Sequence, residues 1–191
     1  MVTRERLYTI EDLWQLSHSP EYDEMRLELN EGELIVMSPA SGKHGVIVIR
    51  FTVPIDTFVN AHQMGYVTAA ETGYILYQNP DPDGKNIVRA PDVGFTASGR
   101  LPEGMPDGYV PFAPDLAVEV VSPNDDADDL QLKIQQYLRC STRLVWVAYP
   151  KSRTVVAHTP SSVRTFSINN TLDGGDVLPG FTLLVRDIFP E

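Results

Sequence analysis

The fold of this chain is constrained most by two apolar segments that flank a helical pattern. Both segments are almost continuously apolar. The segments are DLAVEVVS at 115–122 and RLVWVAYP at 143–150. Such composition is typical of strands that are covered on both faces. The helical pattern LQLKIQQYLR lies between them at 130–139. Strand, helix and strand in this order predict a β-α-β unit with parallel neighbouring strands.

Two further helices and a hairpin are predicted in the first third of the chain. A helix should begin after Thr9, because this threonine cap is followed three residues later by Asp12. The run RLELNEGELIVMSP at 26–39 has turn residues between two alternating apolar stretches, which indicates a hairpin. Residues 44–63 are long and apolar enough for a helix, although Pro54 should kink or interrupt its middle.

The remaining segments are predicted strands. Their sequences are YVTAA, GYILY, NIVRAPDVGF, TVVAHT and VRTFSI, and a terminal segment TLDGGDVLPGFTLLVRDIF follows them. The patterns together predict an α/β (α+β) fold in which helices flank a mixed central sheet with additional β-hairpins. A length of 191 residues favours one domain over residues 1–191.

Composition limits the chemistry and the partners. Cys140 is the only cysteine, so an internal disulfide and a cysteine-based zinc site are excluded. No apolar run is long enough for a signal-peptide core or a membrane span, so we expect a cytoplasmic protein without a membrane partner. Fifteen basic and 26 acidic residues give a net charge of −11, which opposes phosphate binding unless metal ions or a local basic face offset it.

Two isolated carboxylates stand inside apolar strand patterns. Glu119 is the only charge in LAVEVV, and Asp92 lies within VRAPDVGF beside Pro91, which suggests a bend or a strand end. A carboxylate covered on both sides needs a partner or a metal ion. Lys133 lies at the margin of the apolar helix face that contains Leu130, so its ammonium could reach both carboxylates. These three residues are the candidate catalytic centre.

Each of these signals also has an ordinary structural explanation. Pro-Asp occurs five times in the chain, a strand glutamate can face solvent at a sheet edge, and most helix lysines are solvated. The ordered set of Pro-Asp, buried glutamate and inward lysine is what favours function.

The blocks that carry this set resemble a known family. RLELNEGELIVMSP, KHGVI, ETGYIL, RAPDVGF, PDLAVEVVSP, DLQLKIQQYL, LVWVAYP and DVLPGF look like successive blocks of the Uma-two family of restriction-endonuclease-like proteins. The resemblance runs from about residue 26 to the C-terminus. It implies a restriction-endonuclease-like fold and membership of the PD-(D/E)XK nuclease superfamily.

Carried over residue by residue, the resemblance implies roles for single positions. Asp92 matches the aspartate of the PD pair and Glu119 the acidic residue of (D/E)XK, whereas Val121 stands where the lysine would be. In this family the helical lysine, here Lys133, takes over that role. Glu28, His44 and Glu71 lie in matching blocks and are candidates for orienting the metal ligands or holding a second ion. His18, His62 and His158 are expected to be surface or packing residues.

The implied activity is hydrolysis of phosphodiester bonds in DNA, with RNA as a further possibility. Asp92, Glu119 and the main-chain carbonyl of Val120 form an all-oxygen set suited to Mg²⁺ or Mn²⁺. Cutting a duplex takes two incisions, so a homodimer is a reasonable expectation. If Lys133 has no catalytic role, Lys43 and Arg89 are the next candidates.

Two competing functions stay open at this stage. A nuclease-fold binding or scaffolding protein without activity fits the acidic charge, and a two-carboxylate glycosidase would leave Lys133 unexplained. Without an ion, Asp92 and Glu119 should repel each other, which raises the pKa of at least one. On that reasoning Asp92→Asn should not destabilise the metal-free protein.

Overall fold

A computed structural model describes residues 7–69, 72–81, 84–123 and 125–190. Four α-helices lie in these residues: α1 (Ile10–Ser17), α2 (Gly42–Ala61), α3 (Ala127–Arg139) and α4 (Val185–Ile188). Two single turns of 3-10 helix occur at Pro20–Tyr22 and Ser98–Arg100. None of the helices described is long and apolar enough to cross a membrane.

Twelve strands lie in the described part of the chain. They are β1 (Arg26–Asn30), β2 (Glu33–Met37), β3 (Gly65–Ala69), β4 (Tyr74–Tyr77), β5 (Ile87–Arg89), β6 (Val93–Ala97), β7 (Leu116–Val120), β8 (Leu144–Tyr149), β9 (Thr154–His158), β10 (Val163–Phe166), β11 (Thr171–Asp173) and β12 (Thr182–Leu184). They form a six-stranded sheet, a four-stranded sheet and a two-stranded sheet.

The six-stranded central sheet has the order β10-β9-β8-β7-β6-β3. Strands β7 and β8 run parallel, with Glu119 opposite Val147, and every other pair in this sheet is antiparallel. The helix between β7 and β8 is α3, so the predicted β-α-β unit is confirmed. The expected mixed central sheet with flanking helices and hairpins is also confirmed.

The smaller four-stranded sheet has the order β2-β1-β5-β4. The hairpin predicted at 26–39 forms β1 and β2, and its turn residues Glu31 and Gly32 both have positive φ, 52° and 84°. The segment NIVRAPDVGF does not form one strand. It divides at Pro91 into β5 of the small sheet and β6 of the central sheet, because proline cannot continue a sheet ladder.

Helix termini follow the local sequence signals. Thr9 and Asp12 form the predicted capping box of α1. Helix α2 begins two residues earlier than predicted, because the Ser41 hydroxyl accepts a hydrogen bond from the His44 amide and caps it. The helix continues through Pro54, so the expected interruption is wrong. Buried Phe51 and Ile55 anchor it on both sides of the proline.

Apolar side chains cover both faces of the central sheet. Helices α2 and α4 pack on one face around Phe51, Trp146 and Phe181. Helix α3 and the small sheet cover the other face, where Tyr74 and Tyr137 are fully buried. The small sheet therefore packs on the same face of the central sheet as α3, and the ion pair between Lys133 and Glu119 lies on that face.

Gly94 of β6 is the close-approach point between the two sheets. A Cβ atom there would lie 2.5 Å from the Tyr74 hydroxyl oxygen and 2.9 Å from Thr68 Oγ1. Those two oxygens form a hydrogen bond of 2.8 Å. Glycine is thus required by space at this position.

We predict that Gly94→Ala lowers the free energy of unfolding by about 1–3 kcal/mol, because Tyr74 must shift in a packed core. Urea denaturation measures the change. Gly45→Ala is the control with the opposite sign, since no atom lies within 4 Å of its added Cβ. Helix propensity should make that variant more stable by roughly 0.5–1 kcal/mol. Equal stability of the two variants would contradict the proposed clash.

Candidate metal and phosphodiester site

Lys133 joins two buried glutamates from different sheets. Its Nζ lies 2.9 Å from Glu119 Oε1 and 3.0 Å from Glu28 Oε1. Glu119 projects from β7, Glu28 from β1 and Lys133 from the middle of α3. The helix crosses back over the sheet after β7, and this places the lysine between the two strands.

Glu28 is the most completely bonded of the acidic groups. Its Oε1 also accepts the Ala90 amide at 3.0 Å, and its Oε2 accepts Arg89 Nη1 at 3.0 Å. The side chain is almost inaccessible to solvent. It therefore holds the end of β5, just before the Pro91 bend, against α3.

Asp92 lies at the C-terminal end of β7. Its Oδ2 accepts the main-chain amide of Val120 at 2.8 Å. Its Oδ1 accepts Arg26 Nη1 at 2.9 Å and contacts His44 Nε2 at 3.1 Å. Asp92 directly precedes β6, whose first residue Val93 pairs with Val118, so the antiparallel register carries Asp92 to the end of β7.

The structure thus brings Asp92, Glu119, Lys133, Glu28 and His44 into one connected cluster at the C-terminal end of β7. A cavity of about 280 Å³ opens beside it, and its charged lining consists of three cations and four carboxylates: Arg26, Arg89, Lys133, Glu28, Asp125, Asp126 and Asp129. We call this the central cavity.

Three other histidines lie outside the cluster. Glu71 lies outside the described residues. His18 and His62 cap the ends of α1 and α2, and His158 is in β9. The expectation that these three are surface or packing residues agrees with their positions.

Four polar residues of the cluster were not among the predicted site residues, although Arg89 was named as an alternative to Lys133. Arg26 and Arg89 bind the carboxylates of Asp92 and Glu28. Gln136 is fully buried, where its Oε1 accepts Arg89 and its Nε2 donates to Asn30. The Tyr137 hydroxyl donates to Glu119 Oε1 at 2.8 Å. For Tyr137 the signal available in the sequence was its place on the apolar face of the α3 pattern, where a buried hydroxyl needs a partner.

The chain is similar to known proteins at the level of its family and of its fold. The profile of the Uma2 family, described as "Putative restriction endonuclease", matches residues 10–186. The chain belongs to the Uma2 family. None of the curated proteins matches it.

A solved structure shares the Uma2 chain's fold. It is the 1.96 Å crystal structure of a protein from Anabaena variabilis ATCC 29413, described as "a putative nuclease belonging to DUF820". The two chains are 21% identical, and the match covers 93% of this chain and 96% of that one with a TM-score of 0.76. The restriction-endonuclease-like fold is therefore shown.

Two carboxylates of the Uma2 cluster are held in their charged form. Burial opposes the charge of Glu28, but Lys133, Arg89 and Arg26 lower its pKa from 4.5 to about 2. Burial likewise opposes the charge of Asp92, but His44, Arg26 and the Val120 amide lower its pKa from 3.8 to about 2. Both groups are thus ionised at neutral pH.

Glu119 differs from these two because its negative charge is less well compensated. Burial raises its pKa, Lys133 acts in the opposite direction, and Asp92 and Glu28 raise it further. The expected rise in the pKa of one carboxylate of the pair is therefore confirmed for Glu119. The expectation that Asp92→Asn leaves the metal-free protein as stable as the wild type is corrected. His44 and Arg26 stabilise the negative charge of Asp92, so loss of that charge should destabilise the metal-free protein.

The donor set fits a small divalent ion with oxygen ligands. Within the described ranges no group of three or more His, Cys, Asp or Glu side chains is placed to hold a metal. An ion would therefore depend on two carboxylates, the main chain and water, as Mg²⁺ does. Val121 donates its amide to Ala148 of β8, so strand geometry directs the amide and carbonyl of Val120 toward Asp92. The incomplete compensation of Glu119 is the observation that favours an added cation.

We predict that Glu28→Gln lowers the stability of the metal-free protein by roughly 3 kcal/mol at pH 7, because Arg89 and Lys133 lose a buried partner. The folded pKa of Glu28 is depressed, so this contribution is present above pH 4.5 and is lost as the pH falls toward about 2. Denaturation at several pH values should show the difference from wild type shrinking in acid.

Glu31→Gln in the same hairpin is the matched control. Glu31 pairs with Lys85 and Arg139 at the surface, where ion pairs contribute about 0–1 kcal/mol. A stability loss of the same size in both variants would show that burial of the Glu28 network is not the cause.

Proposed function

We propose that this Uma2 protein is a divalent-metal-dependent endonuclease that hydrolyses phosphodiester bonds in DNA. The observation that carries the proposal is the convergence of Asp92, Glu119 and Lys133 at the end of β7. The family's description supports the reaction class. Cleavage of both strands of a duplex takes two such sites, so the proposal includes a homodimer.

Asp92, Glu119 and the Val120 carbonyl would hold Mg²⁺ or Mn²⁺. When bound, the ion supplies a Lewis acid for a phosphodiester oxygen and lowers the pKa of a coordinated water. Tyr137 keeps the Glu119 carboxylate oriented through its hydrogen bond to Oε1. No hydrogen bond engages Glu119 Oε2 within the described part of the chain, so that oxygen is available as a ligand.

Lys133 supplies fixed positive charge beside the carboxylates. Burial lowers its pKa, but Glu119 and Glu28 raise it above the usual value, so the ammonium is charged at neutral pH. An ammonium has three N–H donors, and the two glutamates occupy two of them. The third can donate to a phosphate oxygen in the central cavity as negative charge develops there.

Arg89 and Gln136 act on Lys133 indirectly. Gln136 accepts from Arg89, and Arg89 holds Glu28 against the lysine. This chain of bonds fixes the ammonium position before substrate binds, which lowers the cost of reorganisation during the reaction.

A binding protein without catalysis is the second candidate. One observation favours it: both oxygens of Asp92 are already engaged, by Arg26, His44 and the Val120 amide. A metal ion must replace at least one of these contacts. Binding of Mn²⁺ therefore distinguishes the two candidates.

With Mg²⁺ or Mn²⁺, the purified protein should cleave at least one member of a panel of single-stranded and duplex DNA. Lys133→Met should lose most turnover, by about 100-fold or more, while Mn²⁺ affinity stays within a few-fold, because the lysine does not ligate the ion. Gel assays and calorimetric titration measure the two quantities.

Lys85→Met is the matched control, because Lys85 is exposed and pairs with Glu31 away from the cluster. It should keep wild-type turnover. Circular dichroism must show that Lys133→Met is folded at the assay temperature. Full activity in a folded Lys133→Met protein would move the catalytic role to Lys43 or Arg89, and RNA cleavage without DNA cleavage would change the substrate.

Asp92→Asn should lose most of the rise in Tm that Mn²⁺ causes in the wild type, since this rise depends on the affinity of the folded state for the ion. Its Tm without metal should be lower than that of the wild type. Asp56→Asn on α2 is the control and should keep the full Mn²⁺ shift. Equal Mn²⁺ shifts in Asp92→Asn and wild type would exclude Asp92 from the metal site.

A further inference from the structure

A second cavity lies beside the cluster, on the His44 side of Asp92. It has a volume of about 330 Å³ and lies between the start of α2, the loop after β7 and the end of β8. Lys43, Tyr149 and Lys151 line it together with His44 and Ser122. We call it the lysine cavity.

The lysine cavity and the central cavity are connected through side chains that contact the buried Asp92, which itself lines neither cavity. Arg26 lines the central cavity and His44 lines the lysine cavity, and both side chains contact the same oxygen, Asp92 Oδ1. Asp125 lines both cavities. A chain that crosses the proposed reaction site would therefore place successive units in the two cavities.

The charge of the lysine cavity suits a phosphate. Lys43 and Lys151 are exposed, and neither forms an ion pair with another described residue. The one carboxylate in the lining is Asp125, whose Oδ2 accepts the Ser122 amide and is turned toward that loop. In a chain with a net charge of −11, two unpaired cations at one cavity form a local site for an anion.

The apolar part of the cavity suits a base. Tyr149 is half-buried, and Val121, Pro123 and Pro150 contribute further apolar walls. Aromatic rings bind the bases of single strands by stacking, and neighbouring lysines bind the backbone phosphates. Phosphate-binding cations and a ring within one cavity match a nucleotide unit better than an isolated phosphate.

We propose that the lysine cavity binds the nucleotide next to the scissile phosphodiester, with its base against Tyr149 and its phosphate at Lys43 and Lys151. This assignment rests on the proposed function, because it takes the central cavity as the place of cleavage. The base it accepts is unstacked from its neighbour on one side, since stacking on Tyr149 requires a base face that is free.

The test measures binding of fluorescent oligonucleotides of about 10 nucleotides, as single-stranded DNA and as RNA, to the full chain in EDTA. The double variant Lys43→Gln/Lys151→Gln should bind about tenfold or more weakly. The slope of log K against log salt concentration should fall in magnitude by about 0.7, because the one phosphate held by the two lysines is no longer neutralised.

Matched variants separate charge from stacking. Tyr149→Ala should weaken binding about tenfold without changing the salt slope, whereas Tyr149→Phe should keep the affinity. Lys85→Gln, outside the cavity, should keep both the affinity and the slope. The cavity assignment is overturned if the double variant behaves like Lys85→Gln, or if the wild type binds neither strand.

Cleavage assays distinguish failure of this assignment from failure of the proposed function. A protein that binds a strand through Lys43, Lys151 and Tyr149 but never cleaves it with Mn²⁺ would keep the binding site and lose the nuclease proposal. If the wild type cleaves DNA while all cavity variants bind like the wild type, the nuclease proposal is kept and the cavity assignment is rejected.

Discussion

The buried contact of Lys133 with Glu28 and Glu119 is the interaction on which the rest of the site depends. It joins β1 of the small sheet, β7 of the central sheet and α3. Removing such charges from water is costly, and only close pairing with further hydrogen bonds offsets the cost. Arg89, Gln136 and Tyr137 supply those bonds. The two sheets are therefore held in a single arrangement around this ion network.

The network also sets the electrostatics of the proposed reaction. Three carboxylates, Glu28, Asp92 and Glu119, face three permanent cations, Arg26, Arg89 and Lys133. The cluster is close to neutral as a whole, but the compensation is uneven. Asp92 and Glu28 have depressed pKa values, whereas that of Glu119 is raised. A divalent ion would add positive charge beside Glu119, and a phosphodiester anion would add negative charge near Lys133.

Local signals accounted for much of the fold and for the central residues of the site. Glu119 was conspicuous as a lone charge in an apolar strand, and Pro91 marked the bend that places Asp92 before β6. Arg89 had no comparable signal as a partner of Glu28. The two residues are 61 positions apart, and sequence periodicity describes neighbours along one element only. The contact between His44 and Asp92 could not be predicted for the same reason, because these residues are 48 positions apart.

By itself, the sequence determined the capping box of α1, the β1–β2 turn and the β-α-β unit. It also determined that two carboxylates in apolar strand patterns need compensation. These features follow from hydrogen bonding, periodicity and desolvation within short segments. Only the tertiary structure decided which cation meets which carboxylate, that Gln136 is buried, and that the lysine cavity adjoins the Asp92 partner His44. Those outcomes depend on distances between elements remote in sequence, because the strength of a buried ion pair is set by separation and burial.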